Sequence, residues 1–173
     1  MVTKAQTTVA ALGHNYGENG ICTRCGDEFW EDSGEEIEIN SEKYNMDGGY
    51  LLNVQPGTKV SDLKLNITTN ATEINVYHND EKVSDDITVA TGMTIELKNG
   101  NINKTFTIIV KGDVNSDGKA DFKDLVKVNK ARLNKITLEE IYFFAADVNE
   151  DKSIDIKDLS KINKYRLNKI TEL

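Results

Sequence analysis

One twelve-residue pattern occurs twice, with its first residues 34 positions apart, and constrains this chain more than any other feature. The first copy runs Asp113-Val-Asn115-Ser-Asp117-Gly118-Lys119-Ala-Asp121-Phe-Lys-Asp124, and the second runs Asp147-Val-Asn149-Glu-Asp151-Lys152-Ser153-Ile-Asp155-Ile-Lys-Asp158. Oxygen-bearing side chains fall at positions 1, 3, 5, 9 and 12 of each copy, with Lys119 and Ser153 at position 7, whose backbone carbonyl completes such sites. That spacing wraps a hard cation in about six or seven oxygens. Two Ca²⁺ sites are therefore expected, on Asp113, Asn115, Asp117, Lys119, Asp121 and Asp124, and on Asp147, Asn149, Asp151, Ser153, Asp155 and Asp158. The repeat extends past the loops: Leu125, Asn129, Lys130, Arg132, Leu133, Asn134, Lys135 and Ile136 recur as Leu159, Asn163, Lys164, Arg166, Leu167, Asn168, Lys169 and Ile170. The repeating unit is a loop followed by a helix.

A paired EF-hand would place a helix before each loop and a bidentate Glu at position 12. This chain departs from both, because β-branched Ile108-Ile109-Val110 precedes the first loop as a strand and position 12 is Asp in each copy. A duplicated loop and helix of the form Gly-Asp-Val-Asn-x-Asp-Gly, closed by Asp-Leu, resembles the type I dockerin modules of cellulosome and amylosome assemblies. The resemblance covers Gly112 to about Leu173. It implies a calcium-dependent docking module that binds a cohesin domain of a scaffoldin and tethers a secreted glycan-degrading enzyme or structural subunit to a larger complex. It also implies that cohesin contacts lie at loop positions 10 and 11 and on the helix that follows. Those positions hold Phe122, Lys123, Val128, Asn129, Lys130 and Asn134 in the first half, and Ile156, Lys157, Ile162, Asn163, Lys164 and Asn168 in the second. An apolar centre edged by Lys and Asn has the make-up of a protein interface.

Charge narrows the class of partner. From Gly112 onward there are 12 Lys/Arg against 12 Asp/Glu, with the carboxylates concentrated in the loops, so two bound Ca²⁺ would leave the segment at +4 and its helices basic. Residues 1–111 carry 9 Lys/Arg against 17 Asp/Glu and supply the whole net charge of -8. Nucleic acid is a poor candidate for an acidic chain with two short basic helices and no groove-reading motif. An acidic protein face fits better.

Upstream, Gly13-His14 and Gly20-Ile-Cys22-Thr-Arg-Cys25-Gly26 contain the Cys-x-x-Cys-Gly turn that forms half of many zinc sites. His14, Cys22 and Cys25 are zinc candidates, with His78 or an acidic side chain as a fourth ligand; a Cys22–Cys25 disulfide or two free thiols are the alternatives. An acidic stretch from Asp32 to Glu38 then reads as a linker. Beyond it, alternating runs predict strands over Tyr50–Val54, Glu73–Tyr77, Ile87–Val89, Thr94–Leu97 and Thr105–Val110, with a short helix from Thr58 through Leu65. The Ala90-Thr91-Gly92-Met93 turn, followed by a strand running into Gly112-Asp113, resembles the X modules that accompany some dockerins. The expected architecture is α+β: an N-terminal segment 1–35 with a zinc-knuckle motif, a β-rich X-like module 36–111 and an all-α dockerin 112–173. With no Pro- or Ser-rich spacer between Val110 and Asp113, the last two are expected to share an interface.

No nucleophile motif accompanies His14 or His78, no Gly-rich phosphate loop occurs, and the Asp clusters are committed to calcium, so no enzyme activity is expected. The competing function is sugar binding by the β-rich part, with Trp30, Tyr44, Tyr50 or Tyr77 stacking on sugar rings; core or strand-surface positions are the plainer reading of these residues. No apolar run is long enough to span a bilayer, and the first 30 residues lack a signal-peptide layout, so the chain is expected to be a monomeric piece of a longer secreted protein.

Overall fold

The computed structural model describes Thr23 and residues 36–173. Glu36–Leu173 form one unit, distinct from Met1–Glu35; the zinc candidates His14, Cys22 and Cys25, and Trp30, lie outside the described residues. Among the described residues the elements run β1 (Ile39–Asn40), β2 (Asn45–Asp47), β3 (Tyr50–Val54), α1 (Val60–Leu65), β4 (Thr68–Thr69), β5 (Glu73–His78), β6 (Glu81–Lys82), β7 (Thr94–Asn99), β8 (Ile102–Val110), α2 (Phe122–Arg132), α3 (Glu140–Ala146) and α4 (Ile156–Arg166). The fold is α+β. A six-stranded sheet has the order β2-β3-β8-β7-β5-β6, with β1 and β4 pairing separately. The β3–β8 pair is parallel and the other ladders are antiparallel.

Four of the five predicted strands form, with ends shifted by a few residues. The fifth, Ile87–Val89, does not: it touches a neighbour through a single bridge, Lys59 to Thr88. Its backbone is used otherwise, since Val60 N donates to Ile87 O and Val89 N donates to Thr58 O. The segment thus straps the loop that leads into α1 instead of extending the sheet.

The sheet is covered on both faces. Successive side chains of a strand point to opposite sides, so Ile108 and Val110 of β8 pack with Leu51, Val54, Val60, Leu63, Val76, Val89, Ile95 and Leu97 in one core. Ile109, between them, joins Val114, Ala120, Val128, Ala145, Ala146, Val148 and Ile162 in the other, where Tyr50 and Leu52 of β3 also pack. A strand buried on both faces explains why Ile108-Ile109-Val110 is a continuous apolar run. The expected interface between sheet and helical part is therefore built into the second core.

Each metal-type loop leads straight into its helix through a capping box. Asp121 and Asp155, at loop position 9, are the N-caps of α2 and α4, and Asp124 and Asp158, at position 12, close the boxes by accepting from the N-cap amides. Both helices end alike. Asn134 and Asn168 adopt a left-handed backbone, each with φ of 53°. Lys135 N donates to Lys130 O and Asn134 N to Ala131 O, and Lys169 N to Lys164 O and Asn168 N to Tyr165 O, the paired bonds of a Schellman ending. Asparagine tolerates this conformation better than most residues, so both asparagines serve the helix ends first.

Gly112 marks the crossing from sheet to helices. Its φ is +78°, and a Cβ there would lie 2.8 Å from both the Ala120 Cβ and the Leu173 Cδ1. Gly112→Ala is expected to destabilise the unit by about 1–3 kcal/mol, because a left-handed φ and an overpacked contact act together. Denaturant unfolding checks this, and an unchanged midpoint would refute it.

Candidate functional site

The loops draw their oxygens inward with their own amides. Asp113 Oδ1 accepts from Asp117 N (3.1 Å) and its Oδ2 from Gly118 N (3.0 Å). In the second loop Asp147 Oδ1 accepts from Asp151 N (3.1 Å) and Oδ2 from Lys152 N (2.7 Å). At the other end Asp124 accepts from Val114 N and Asp121 N, and Asp158 from Asn149 N and Asp155 N. Asn115 and Asn149 donate to Asp117 and Asp151 while accepting those residues' amides in return. Lys119 N and Ser153 N donate to Asp117 and Asp151, which bends position 7 around the loop. Asp121 and Asp155 face the N-termini of their helices, accepting from Lys123 N and Lys157 N.

This donor set fits a hard divalent cation. Asp113, Asp124, Asp147 and Asp158 are all buried. Among the described residues the ion pairs in the loops fall instead on Asp117, Asp151 and Asp155, from Lys123 and Lys157, and on Glu150, from Lys111. A buried carboxylate is costly unless paired or bound to metal. In the second loop, carboxylate oxygens of Asp147, Asp151 and Asp158 lie within 4.8 Å of one another, a span that one ion with Ca–O distances of about 2.3–2.6 Å can bridge.

Electrostatics point the same way. Burial pushes the Asp124 carboxyl up to about 6, helped by the nearby charges of Asp113 and Asp117 and opposed by amide hydrogen bonds. Burial likewise raises Asp113 and Asp158 above the usual carboxylate range. Asp151 goes the other way, to about 2, because the Ser153 hydroxyl, the Lys157 ammonium and the Asn149 amide favour its charged form. Asp113 and Asp124 thus resist ionising together on the protein's resources alone, as Asp158 resists ionising in its own loop, and a divalent cation at each loop centre would offset this.

Position 6 separates the loops. Gly118 has φ +75° and Lys152 has φ +65°; a non-glycine residue in that region costs on the order of 1 kcal/mol. Lys152→Gly is expected to tighten the second loop's calcium affinity by about fivefold, the factor such a cost represents. Calorimetry on parent and variant checks this, and a variant no tighter than the parent would refute it.

The expected recognition positions divide into exposed and buried sets. Phe122 and Ile156 are 62% and 59% exposed, and Leu133 and Leu167, which sequence reasoning passed over, are each 46% exposed. Lys123, Lys130, Lys157 and Lys164 are exposed beside them. Val128 and Ile162 are fully buried in the core shared by α2 and α4, so they support the face from beneath and take no direct part in its surface. Asn129 and Asn163 are half-buried and accept from Arg132 and Arg166 one turn on. The Arg166 guanidinium also lies 5.9 Å from the Phe122 ring centre, which places the end of α4 beside the start of α2.

Sequence reasoning also passed over Thr91, whose amide reaches Asp113 Oδ2 from outside the loop at 2.9 Å. The tyrosines proposed to stack on sugars are otherwise engaged. Tyr44 is buried, Tyr50 packs on Phe144 with ring centres 5.2 Å apart, and Tyr77 donates to Glu96.

The sequence profile described as "Dockerin type I domain" matches residues 111–167. Among solved structures, the chain is similar to the third cohesin ScaC in complex with the ScaB dockerin, mutated in its N-terminal helix (IN to SI), from Acetivibrio cellulolyticus and displaying a type I interaction. That match is 33% identical, covers 38% of this chain and 92% of that one, and has a TM-score of 0.36. A second is the sixth cohesin from Acetivibrio cellulolyticus scaffoldin B in complex with a mutant of the Cel5 dockerin: 31% identical, covering 36% of this chain and 98% of that one, with a TM-score of 0.35. No curated protein matches the chain. Two loops at the family's spacing, each opening into a capped helix, and a profile match over the same residues lead to one assignment: the chain belongs to the type I dockerin family through residues 111–167.

Proposed function

We propose that the chain is a calcium-dependent docking module that binds a cohesin domain and so attaches the protein that carries it to a scaffold. Dockerin domains dock and do not catalyse. The observation that carries the reading is the pair of loops with buried, cation-unpaired carboxylates, each opening into a helix whose first residue, Phe122 or Ile156, stands exposed on a basic face. The similar solved structures are complexes of a cohesin with a dockerin. Ca²⁺ would supply positive charge at the loop centres; the side chains at positions 1, 3, 5, 9 and 12 and the carbonyls of Lys119 and Ser153 would hold it. Loop geometry then fixes where α2 and α4 start, and with them the spacing of Phe122, Lys123, Ile156 and Lys157.

In this reading residues 112–173 are the dockerin and residues 36–111 a β-rich module fused to it, together forming part of a secreted protein that degrades or organises glycans. The apolar ends of the face would fill pockets on the cohesin, and the lysines would meet acidic residues around them. Calorimetric titration of the chain against cohesins from one organism, with Ca²⁺ and then with excess chelator, tests this. Binding that appears only with Ca²⁺ is expected, and binding to no cohesin, or equal binding in chelator, would overturn it.

A further inference from the structure

The two loops share their internal hydrogen bonds and differ in one donor. Asp113 Oδ2 accepts the Thr91 amide at 2.9 Å in addition to Gly118 N, whereas among the described residues Asp147 accepts only from within its own loop. Thr91 is 2% exposed. Its Oγ1 accepts from Val110 N (3.1 Å) and donates to Val110 O (3.3 Å), and the turn is tied to β8 again through Gly92 N to Ile108 O (2.9 Å) and Ile108 N to Met93 O (2.8 Å). The donor is thus fixed to the strand that runs into the loop. The sheet side meets the loop a second time at position 6. Gly57 N donates to Gly118 O at 3.1 Å, and a Cβ on Gly118 would lie 2.8 Å from the Val89 carbonyl oxygen. The second loop has exposed Lys152 at that position, and the link there from the β-rich part is the ion pair of Lys111 with the exposed Glu150.

We propose that the β-rich module is a positioning element for the first calcium loop alone, with Thr91 as the positioning residue, so that the two loops of this near-symmetric dockerin fill unequally. This rests on the calcium reading above. A metal-binding carboxylate has one oxygen for the cation and one to be held by the protein; fixing the second oxygen fixes the direction of the first. Loss of such supporting hydrogen bonds at metal sites costs about 10–100-fold in affinity. The coupling is reciprocal: calcium in the first loop must tighten the hold of the sheet on that loop by the factor by which the sheet tightens calcium. The first half of the docking face therefore persists at calcium levels at which the second half has already let go.

The test is a Ca²⁺ titration of the full chain followed by ¹⁵N–¹H NMR, with the amides at position 6 of each loop reporting the two loops separately. To remove the glycine difference it is run in a Lys152→Gly background, where the first loop is expected to stay about 10-fold tighter than the second. Adding Thr91→Val, which keeps the shape but deletes the hydroxyl that fixes the amide, is expected to close that gap while leaving the second loop unchanged. Equal affinities in the Lys152→Gly protein, or a Thr91→Val effect of equal size on both loops, would overturn the proposal. Should Thr91→Val not fold, hydrogen exchange in the unaltered chain decides. Calcium should slow exchange of the Thr91 amide by at least about 10-fold, and no slowing is fatal to the idea. Calcium bound at neither loop would instead overturn the docking reading beneath it, and this inference with it.

Discussion

Excess chelator is expected to erase most of the α-helical circular-dichroism signal of α2 and α4 while leaving the β-sheet signal in place. Eight carboxylates occupy ligand positions in the two loops, and Asp113, Asp124 and Asp158 are fully buried. Ionised together without a cation they repel one another in surroundings that already favour the protonated acid, Asp124 most strongly. The core that must absorb this cost is small: three of the residues packed around Val128, Ile162, Val114 and Val148 are alanines. A fully buried Val or Ile contributes only about 1.5–3 kcal/mol, and metal binding in such small modules is itself folding energy. The sheet has its own core, from Ile37 to Val110, and no carboxylate of the loops belongs to it. A helical spectrum unchanged by chelator would show that packing against the sheet suffices to hold the helices, and would remove calcium from the account of how they fold.

What could be read from the sequence was whatever short-range chemistry dictates. Ligand spacing in a twelve-residue loop is fixed by the reach of the side chains, so both loops and their exit helices were legible, and the capping boxes follow because the ligands at positions 9 and 12 are also N-cap and N3. The strands with strong alternation were legible for the same local reason. Ile87–Val89 alternates too, yet its backbone is consumed by Thr58 and Val60, a long-range choice that no local pattern encodes. Val128 and Ile162, expected in the recognition set, are fully buried, because they lie on the stripe of α2 and α4 that packs into the second core. The departures from repeat symmetry become intelligible only with the sheet present. Tyr165 stands where the first half has Ala131, and its hydroxyl meets Pro56 O at 3.4 Å. Gly118 stands opposite Lys152, and the Val89 carbonyl leaves no room for a side chain there.

Reversing charge on all four exposed lysines of the face is expected to abolish cohesin binding, whereas reversing either half alone is expected to leave affinity within about tenfold, a loss of no more than about 1.4 kcal/mol. Lys123 and Lys130 in the first half match Lys157 and Lys164 in the second, and both helices start at an exposed apolar residue and end at an equally exposed leucine. The two halves thus offer matching surface residues, and the expected result is a partner that engages with either helix leading. The main departure lies at Phe122 and Ile156. An aromatic buries more area than Ile on docking, but the Arg166 guanidinium already sits 5.9 Å over the Phe122 ring and must be displaced or carried into the interface; Ile156 has no ring for such a contact. These effects oppose one another, so only a small preference for either orientation is expected. The measurement is calorimetry on Lys123→Glu with Lys130→Glu, on Lys157→Glu with Lys164→Glu, and on all four together. A single pair that abolishes binding would establish one fixed orientation, and would mean that the Phe122 and Ile156 ends are not interchangeable to the partner.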